Sequence, residues 1–229
     1  MLLGFEVVST LDDESASDHD RLMEYVRKIR SAGGNKRRWL IALLASGLAA
    51  VNCQSAVAYD GASASNYADA YAVNRNTFWL YFPSDDCTNF VSQAIYAGGI
   101  SRKLGWYMYP PSSTSYTTSW TVSAQNYSYM KLWVASQSGY WTAAQAGAYT
   151  PSWHLRGDPV YYDWTNNGSI DHASMMVGTG TDPTYNGWTG NVIDEPTSNR
   201  KRVIWNVKPY NVAWDKTSFY FLHIPTSAS

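Results

Sequence analysis

The chain has 229 residues, a formal net charge of −1 and a charged fraction of 15%, a length typical of one domain or of one domain with a processed leader. The near-neutral charge argues against a nucleic-acid-binding protein, because such proteins need a basic surface that neutralises phosphates. The 11 Trp and 18 Tyr can bury enough area for a full core, although such rings are also common in saccharide-binding grooves.

Residues 35–60 have the three parts of a secretory signal peptide. Basic residues 36–38 precede an apolar run at 39–51, and an A-x-A cleavage site ends at Ala58. The apolar run is shorter than the about 20 residues that a membrane span needs. We therefore predict cleavage after Ala58, so that 1–58 is a leader and 59–229 is an exported domain without a membrane span.

Two alternatives for this leader stay open. Cys53 follows the apolar run, where lipidation requires a Cys, but the residues before it match the lipidation pattern poorly. Residues 1–34 are unusually acidic and polar for a leader, which indicates a long N-terminal extension or a true start at Met23. Removal of the leader leaves Cys87 alone, either as a reactive thiol or as a small buried apolar residue.

The N-terminal part of the exported domain is predicted to be helical. A flexible entry over 59–65 leads to a short helix over 66–74, where Tyr and Ala recur with near-helical spacing. After a loop, Asp86 is a favourable N-cap for a helix that begins at Cys87 and ends at the Gly98-Gly99 pair.

The rest of the chain is predicted to change from loop and helix to sheet. Residues 105–129, rich in Ser, Thr and Tyr, are predicted to form a surface loop or lid, with short helices over 130–137 and 141–148. The predicted strands are 159–162, 173–177, 192–194, 202–207 and 218–224. Helices followed by an antiparallel sheet form an α+β arrangement, and no internal repeat or second domain is evident.

Cys87 has the position of an activated nucleophile. At the first helical position it lies among unsatisfied N–H groups that carry partial positive charge. These groups favour the thiolate and lower the thiol pKa, and they can also stabilise the oxyanion of an attacked carbonyl.

His172 is the candidate base, because it begins an apolar strand, which holds an imidazole rigidly. We interpret His154, in a loop, and His223, near the end of the last strand, as structural. The group that orients the base is expected on the next strand, where Asp194 and Glu195 face opposite sides. Asp194 is preferred, with Glu195 as the alternative.

The segment DDCTNFVSQAIYAGG, preceded by YADAYAVNRN, resembles the bacterial putative amidase domain family of papain-like cysteine hydrolases. A Gly-Asp motif at 157–158 and a His strand at 171–177 follow in the order of that family, and the order is also similar to that of NlpC-type and CHAP cell-wall hydrolases. The resemblance covers roughly residues 66–224. It implies a papain-like fold in which N-terminal helices carry Cys87 and pack on a C-terminal antiparallel sheet that carries His172.

The resemblance also implies roles for single residues. It makes Cys87 the nucleophile and His172 the base. The NlpC-type pattern places the third group at Asp194, whereas the segment at 197–200, read against the amidase family, places Glu195 nearer that role.

Other residues are expected to shape the site. Asp86 is expected to act there as a helix cap, Asn89 belongs to the Cys motif, and Asp158 begins a strand. Tyr81 occupies the position where papain-like enzymes have the Gln of the oxyanion hole, so the sequence does not identify the residue that donates the second hydrogen bond to the oxyanion.

These observations predict an exported cysteine amidase or peptidase, and the resemblance implies that it is bacterial and either secreted or associated with the cell wall. Cys87 would attack an amide carbonyl, His172 would protonate the leaving amine, and water would resolve the thioester. Export and the resemblance imply peptidoglycan peptides as substrates, an inference by association. The alternatives are an acyl or peptidyl transferase on the same dyad and a non-catalytic cell-wall-binding domain. We expect a monomer with no metal and no cofactor.

Overall fold

A computed structural model describes residues 58–83, 85–103, 105–108, 118–145 and 149–228. Apart from Ala58, the predicted leader lies outside these residues, as do both alternatives for it at Cys53 and Met23. Within the described ranges, no helix is long and apolar enough to cross a membrane.

The first helix, α1 (Gly61–Tyr71), begins earlier than the sequence pattern indicated. The Asp60 carboxylate caps it by accepting a hydrogen bond from the Ala62 backbone N–H at 2.9 Å, which satisfies one of the free donors of the first turn. The predicted flexible entry over 59–65 is therefore wrong, because the chain enters this helix two residues after Tyr59, whose ring is buried.

Helix α2 (Cys87–Ala97) has the predicted bounds, with Asp86 at the N-cap and Gly98 at the C-cap. Its first nine residues are all buried, so it is the central helix of the domain. The Asp86 side chain, however, makes no capping hydrogen bond to the helix. The prediction that this side chain caps α2 is therefore wrong, although Asp86 does occupy the N-cap position.

Two further helices, α3 (Thr118–Thr121) and α4 (Ser123–Ser136), occupy much of the segment predicted as a loop or lid. Residues 109–117 of that segment lie outside the described residues. The helix predicted at 130–137 is the second half of α4, whose buried side chains include Asn126, Tyr127 and Met130.

Six antiparallel strands form one sheet in the order β1-β6-β2-β3-β4-β5. The strands are β1 (Tyr140–Gln145), β2 (Pro159–Asp163), β3 (His172–Thr181), β4 (Thr189–Glu195), β5 (Arg200–Ile204) and β6 (Ser218–His223). A short 3-10 helix at Trp214–Lys216 precedes β6. The predicted α+β arrangement with an antiparallel sheet is confirmed.

Strand β1 replaces the helix predicted at 141–148. It is an edge strand that pairs along its whole length with β6, from Tyr140 opposite His223 to Gln145 opposite Ser218. Most of its side chains are exposed, so the partner strand rather than an apolar pattern determines its conformation.

The sheet is apolar on both faces. The face that carries α1, α2 and α4 forms the larger core, and aromatic rings from loops cover part of the other face, among them Trp153, Trp164 and Trp214. Helix α2 packs against β3, and this packing brings the start of the helix to the start of that strand.

Candidate active site

The predicted nucleophile and base meet where α2 and β3 begin. Cys87 is the first residue of α2 and is 3% exposed, and His172 is the first residue of β3 and is 7% exposed. The two groups are close enough for each to shift the pKa of the other. The fold thus brings together two residues that lie 85 positions apart in the chain.

Glu195, the alternative third group, contacts the imidazole. Its Oε2 lies 2.5 Å from His172 Nε2, and its Oε1 accepts from the Arg200 guanidinium. Because Nε2 is engaged by the carboxylate, Nδ1 is the ring nitrogen left for Cys87. The three side chains form a line of thiol, imidazole and carboxylate.

The preferred third group, Asp194, lies on the opposite side of β4. Its Oδ1 accepts from the Arg202 backbone N–H at 2.5 Å, and its Oδ2 is buried with no hydrogen-bond partner among the described residues. The two carboxylates diverge because successive side chains of a strand alternate between faces. The preference for Asp194 as the third group is therefore corrected, because Glu195 is the residue that contacts His172.

The electrostatics of the line favour a thiolate–imidazolium pair. Burial alone would raise the pKa of Cys87, but the charge of His172 and the polar contacts with His172, Thr88 and Ser123 outweigh it and lower that pKa to about 7. Burial opposes the charge on His172, yet Cys87 and Glu195 raise the pKa of the imidazole to about 10.

Glu195 stays ionised in this site. Burial opposes its charge, but the charges of His172 and Arg200 and the hydrogen bonds from both lower its pKa to about 2. A buried carboxylate held between two cations stabilises the imidazolium and fixes the ring orientation.

Two hydroxyl groups that sequence reasoning missed lie beside the sulfur. Thr88 Oγ1 and Ser123 Oγ are 3.6 and 3.7 Å from Cys87 Sγ, and the two oxygens are 2.6 Å apart. Thr88 follows Cys87 in α2, but Ser123 begins α4 and lies 36 residues away. No local signal in the chain identified Ser123, because its position depends on how α4 packs.

An aromatic wall covers the imidazole. The Trp164 ring stacks on His172 with centroids 5.4 Å apart and an interplanar angle of 25°, and Tyr162 contacts it at 5.4 Å in a tilted arrangement. Ser174 Oγ is 3.3 Å from Nε2. These neighbours exclude water from the ion pair and restrict the ring to one orientation.

Asp86 and Asn89 hold the chain that enters α2. Asp86 Oδ1 accepts from Asn89 Nδ2 at 2.8 Å and from the Phe82 backbone N–H at 3.2 Å, and Asn89 Nδ2 also donates to the Leu80 carbonyl at 2.9 Å. Burial raises the pKa of Asp86 to about 6. Both residues act on the loop before Cys87, and Tyr81 in that loop is exposed.

Asp158 lies at the other end of β2 from the site. His172 pairs with Tyr162, near the end of that strand, whereas Asp158 precedes its first residue, on the order of 10 Å away along the strand. Asp158 accepts from His223 Nδ1 at 2.8 Å and from the backbone of Leu155 at 2.7 Å. The expectation that it shapes the site is corrected, since it joins β2 to the last strand.

Among the described residues, the His that remains besides His172 and His223 is His154, whose contacts do not include the Cys87 sulfur. Its Nε2 lies 3.1 Å from the Pro159 carbonyl, and its ring packs on Phe221. Among the described residues, no group of three or more His, Cys, Asp or Glu side chains is arranged to hold a metal ion.

Residues 58–222, which contain the whole line of Cys87, His172 and Glu195, match the family model described as "Putative amidase domain". The chain belongs to this family. The description indicates, at a coarse level, a hydrolase that acts on amide bonds.

Two proteins of Bacillus subtilis (strain 168) are similar to part of the chain. "Uncharacterized protein YhbB" is 30% identical over 125 residues, 52% of this chain and 37% of that protein. "Uncharacterized protein YjcM" is 28% identical over 134 residues, 56% of this chain and 30% of that protein. The chain thus spans about a third of the length of these relatives, and no solved structure matches it.

Proposed function

We propose that this amidase-family protein is a papain-like cysteine hydrolase in which Cys87 is the nucleophile, His172 the general acid and base, and Glu195 the orienting carboxylate. One observation carries the proposal: the thiol at the start of α2 and the imidazole at the start of β3 are close enough for each to shift the pKa of the other, and a buried carboxylate engages the imidazole Nε2. A buried Cys with only a structural role needs none of these partners.

The first half of the reaction forms a thioester. The Cys87 thiolate attacks the carbonyl carbon of the amide, and the oxygen becomes an oxyanion near the free N–H groups of the first turn of α2. The His172 imidazolium donates its Nδ1 proton to the amide nitrogen, the C–N bond breaks, and the amine leaves.

The second half releases the acid. Neutral His172 takes a proton from a water molecule, whose oxygen attacks the thioester carbonyl. The C–S bond then breaks, Cys87 leaves as a thiolate, and the product departs as a carboxylic acid, which loses its proton to solvent. Glu195 stays ionised throughout and stabilises the imidazolium at both ends of the cycle.

We further propose that the enzyme is exported and cleaves peptide bonds of peptidoglycan. The support is the signal-peptide pattern before Ala58 and the resemblance of the Cys and His segments to those of cell-wall hydrolases. Peptidoglycan stems supply many amide bonds outside the cell, where an exported amidase would meet them.

Turnover by variants tests the proposal. The full chain is incubated with purified peptidoglycan and with simple peptide amides, and released amines are measured. We expect Cys87→Ala and His172→Ala to abolish release, and the control Cys53→Ala, in the predicted leader, to retain it. Release that survives in Cys87→Ala would exclude the cysteine mechanism. An added acceptor amine that captures the acyl group would instead identify a transferase.

Alkylation of the thiol tests its activation without a substrate. Because the pKa of Cys87 is lowered to about 7, a larger fraction is thiolate at pH 6 than for an ordinary cysteine with a pKa near 8.5. We expect iodoacetamide to modify Cys87 faster than free cysteine at pH 6. A rate no faster than that of free cysteine would contradict the ion pair.

A further inference from the structure

A cavity of about 420 Å³ lies where the end of α1 meets the turn between β4 and β5. Its two walls are the segment that leaves α1 and the turn that follows Glu195. The lining residues are Tyr71, Ala72, Val73, Asn74, Arg75, Tyr81, Pro196 and Asn199. We refer to this cavity as the Arg75 pocket.

The Arg75 pocket adjoins the candidate active site from two directions. Pro196 directly follows Glu195, whose carboxylate contacts His172. The charge of Arg75 acts on Asp86, the residue before Cys87. Two lining residues thus connect the pocket to the candidate site, Pro196 through Glu195 and Arg75 through Asp86.

Arg75 forms no close ion pair with a carboxylate of the described residues, and its charge acts on Asp86 only at longer range. Its guanidinium lies 4.7 Å from the centroid of the Tyr81 ring, and within the described ranges it makes neither an ion pair nor a side-chain hydrogen bond. By contrast, Arg200 pairs with Glu195 and Arg202 pairs with Asp69. Stacking on a ring orients a guanidinium and leaves its five N–H donors free.

The rest of the lining suits a peptide with an anionic group. No lining residue is acidic, and Asp86, on which the charge of Arg75 acts, lies outside the lining. The side-chain amides of Asn74 and Asn199 add donors beside the guanidinium, and Val73, Tyr81 and Pro196 provide apolar walls for the adjoining chain.

We propose that the Arg75 pocket is a substrate subsite that binds a free carboxylate, which makes the enzyme selective for acidic peptides. The role as a subsite rests on the proposed function, because that function places the scissile amide at Cys87. The fork of Arg75 pairs with both carboxylate oxygens, a geometry that a simple cation does not reproduce.

Binding is measured on a chain that does not turn over substrate. The probe is a fluorescently labelled stem tetrapeptide, L-Ala-D-isoGlu-L-Lys-D-Ala, with free carboxylates or with all carboxylates amidated, and the protein is the full chain carrying Cys87→Ala. Fluorescence anisotropy should give a dissociation constant about 10-fold lower for the acid form, the lower end for a charge-assisted pair that is partly exposed to solvent.

Added variants assign that preference to Arg75. We expect Arg75→Gln to remove the preference for the acid form and Arg75→Lys to keep part of it, since it retains the charge without the fork. Lys216→Gln, which removes one exposed positive charge in the 3-10 helix, should keep the preference in full. Circular dichroism and thermal midpoints verify that each variant is folded.

The outcomes separate this proposal from the proposed function. Equal affinity for the two probes, absence of binding to both, or a preference that survives Arg75→Gln would overturn the subsite. If the wild-type chain nevertheless cleaves peptide amides, the cysteine mechanism stands and the subsite alone fails. If binding depends on Arg75 but no amide is cleaved, the mechanism fails and the carboxylate site stands.

Discussion

The ionisation of Cys87 and His172 sets the pH range in which the enzyme is expected to work. The thiolate forms with a pKa of about 7, and the imidazolium loses its proton with a pKa of about 10. We expect kcat/KM for a peptide amide to rise through pH 7 and to fall through pH 10, with both limbs belonging to the coupled pair. A profile measured from pH 5 to 11 tests this, and a single limb would contradict the ion pair.

Glu195 and Asp194 form a matched pair of substitutions, because they are neighbours on opposite faces of one strand. Glu195→Gln removes the negative charge that helps to raise the pKa of His172, so the alkaline limb should move to lower pH and kcat should fall at least 10-fold. Asp194→Asn should leave the alkaline limb in place. The same shift in both variants would show that Glu195 has no special role in the pair.

Ser123 is expected to tune the thiol from the start of a second helix. Ser123→Ala removes a hydrogen bond that lowers the pKa of Cys87. We therefore expect a higher pKa of Cys87, by about one pH unit at most, both in the acid limb of the kcat/KM profile and in the pH dependence of the alkylation rate. Ser128→Ala, an exposed position whose hydroxyl bonds within α4, is the control. An unchanged titration in Ser123→Ala would contradict the contact.

Among the elements, the approach of β2 to α1 depends on two glycines. Gly157 has a φ of +92°, and a Cβ built on it would overlap the Gly61 backbone. We expect Gly157→Ala to lower the free energy of unfolding by about 2 kcal/mol or more, from backbone strain and from the displacement of α1. Urea denaturation measures it, with Gly168→Ala, also at positive φ but with open space around it, as the control for strain alone.

The elements that could be predicted from the sequence are those with local signals. Helix α2 begins after Asp86 and ends before a Gly-Gly pair, and the segments predicted as strands at 159–162 and 173–177 are mostly apolar. Strand β1 is specified mainly by β6, and the first half of α4 lies in a Ser- and Tyr-rich stretch with little apolar periodicity, so neither has a local pattern that identifies it.

The residues of the candidate site also divide into those with a local sequence signal and those without one. Cys87 and His172 are marked by a helix start and a strand start. The choice between Asp194 and Glu195 depends on which face of β4 turns toward β3, and the contact of Ser123 with the sulfur depends on how α4 packs. Pairing and packing between elements decide both, and neither is encoded at a fixed spacing from the Cys motif.

At the scale of the whole molecule, Asp194 makes stability depend on pH. Burial, and secondarily the charge of Asp69, raise its pKa from 3.8 to about 7. Between these values the unfolded chain loses the proton before the folded one does, so ionisation lowers the free energy of unfolding as the pH rises. The shift corresponds to a loss on the order of 4 kcal/mol, at about 1.4 kcal/mol per unit.

Asp194→Asn should remove this dependence, because an amide does not ionise. The amide leaves a buried N–H₂ group without a partner in place of Oδ2, a cost that is the same at every pH. The stability of the variant relative to the wild type should therefore increase steadily from pH 4 to pH 8, as measured by urea denaturation at each pH. A difference that stays constant over this range would mean that Asp194 is ionised in the folded protein throughout, and that its unpartnered oxygen has access to solvent.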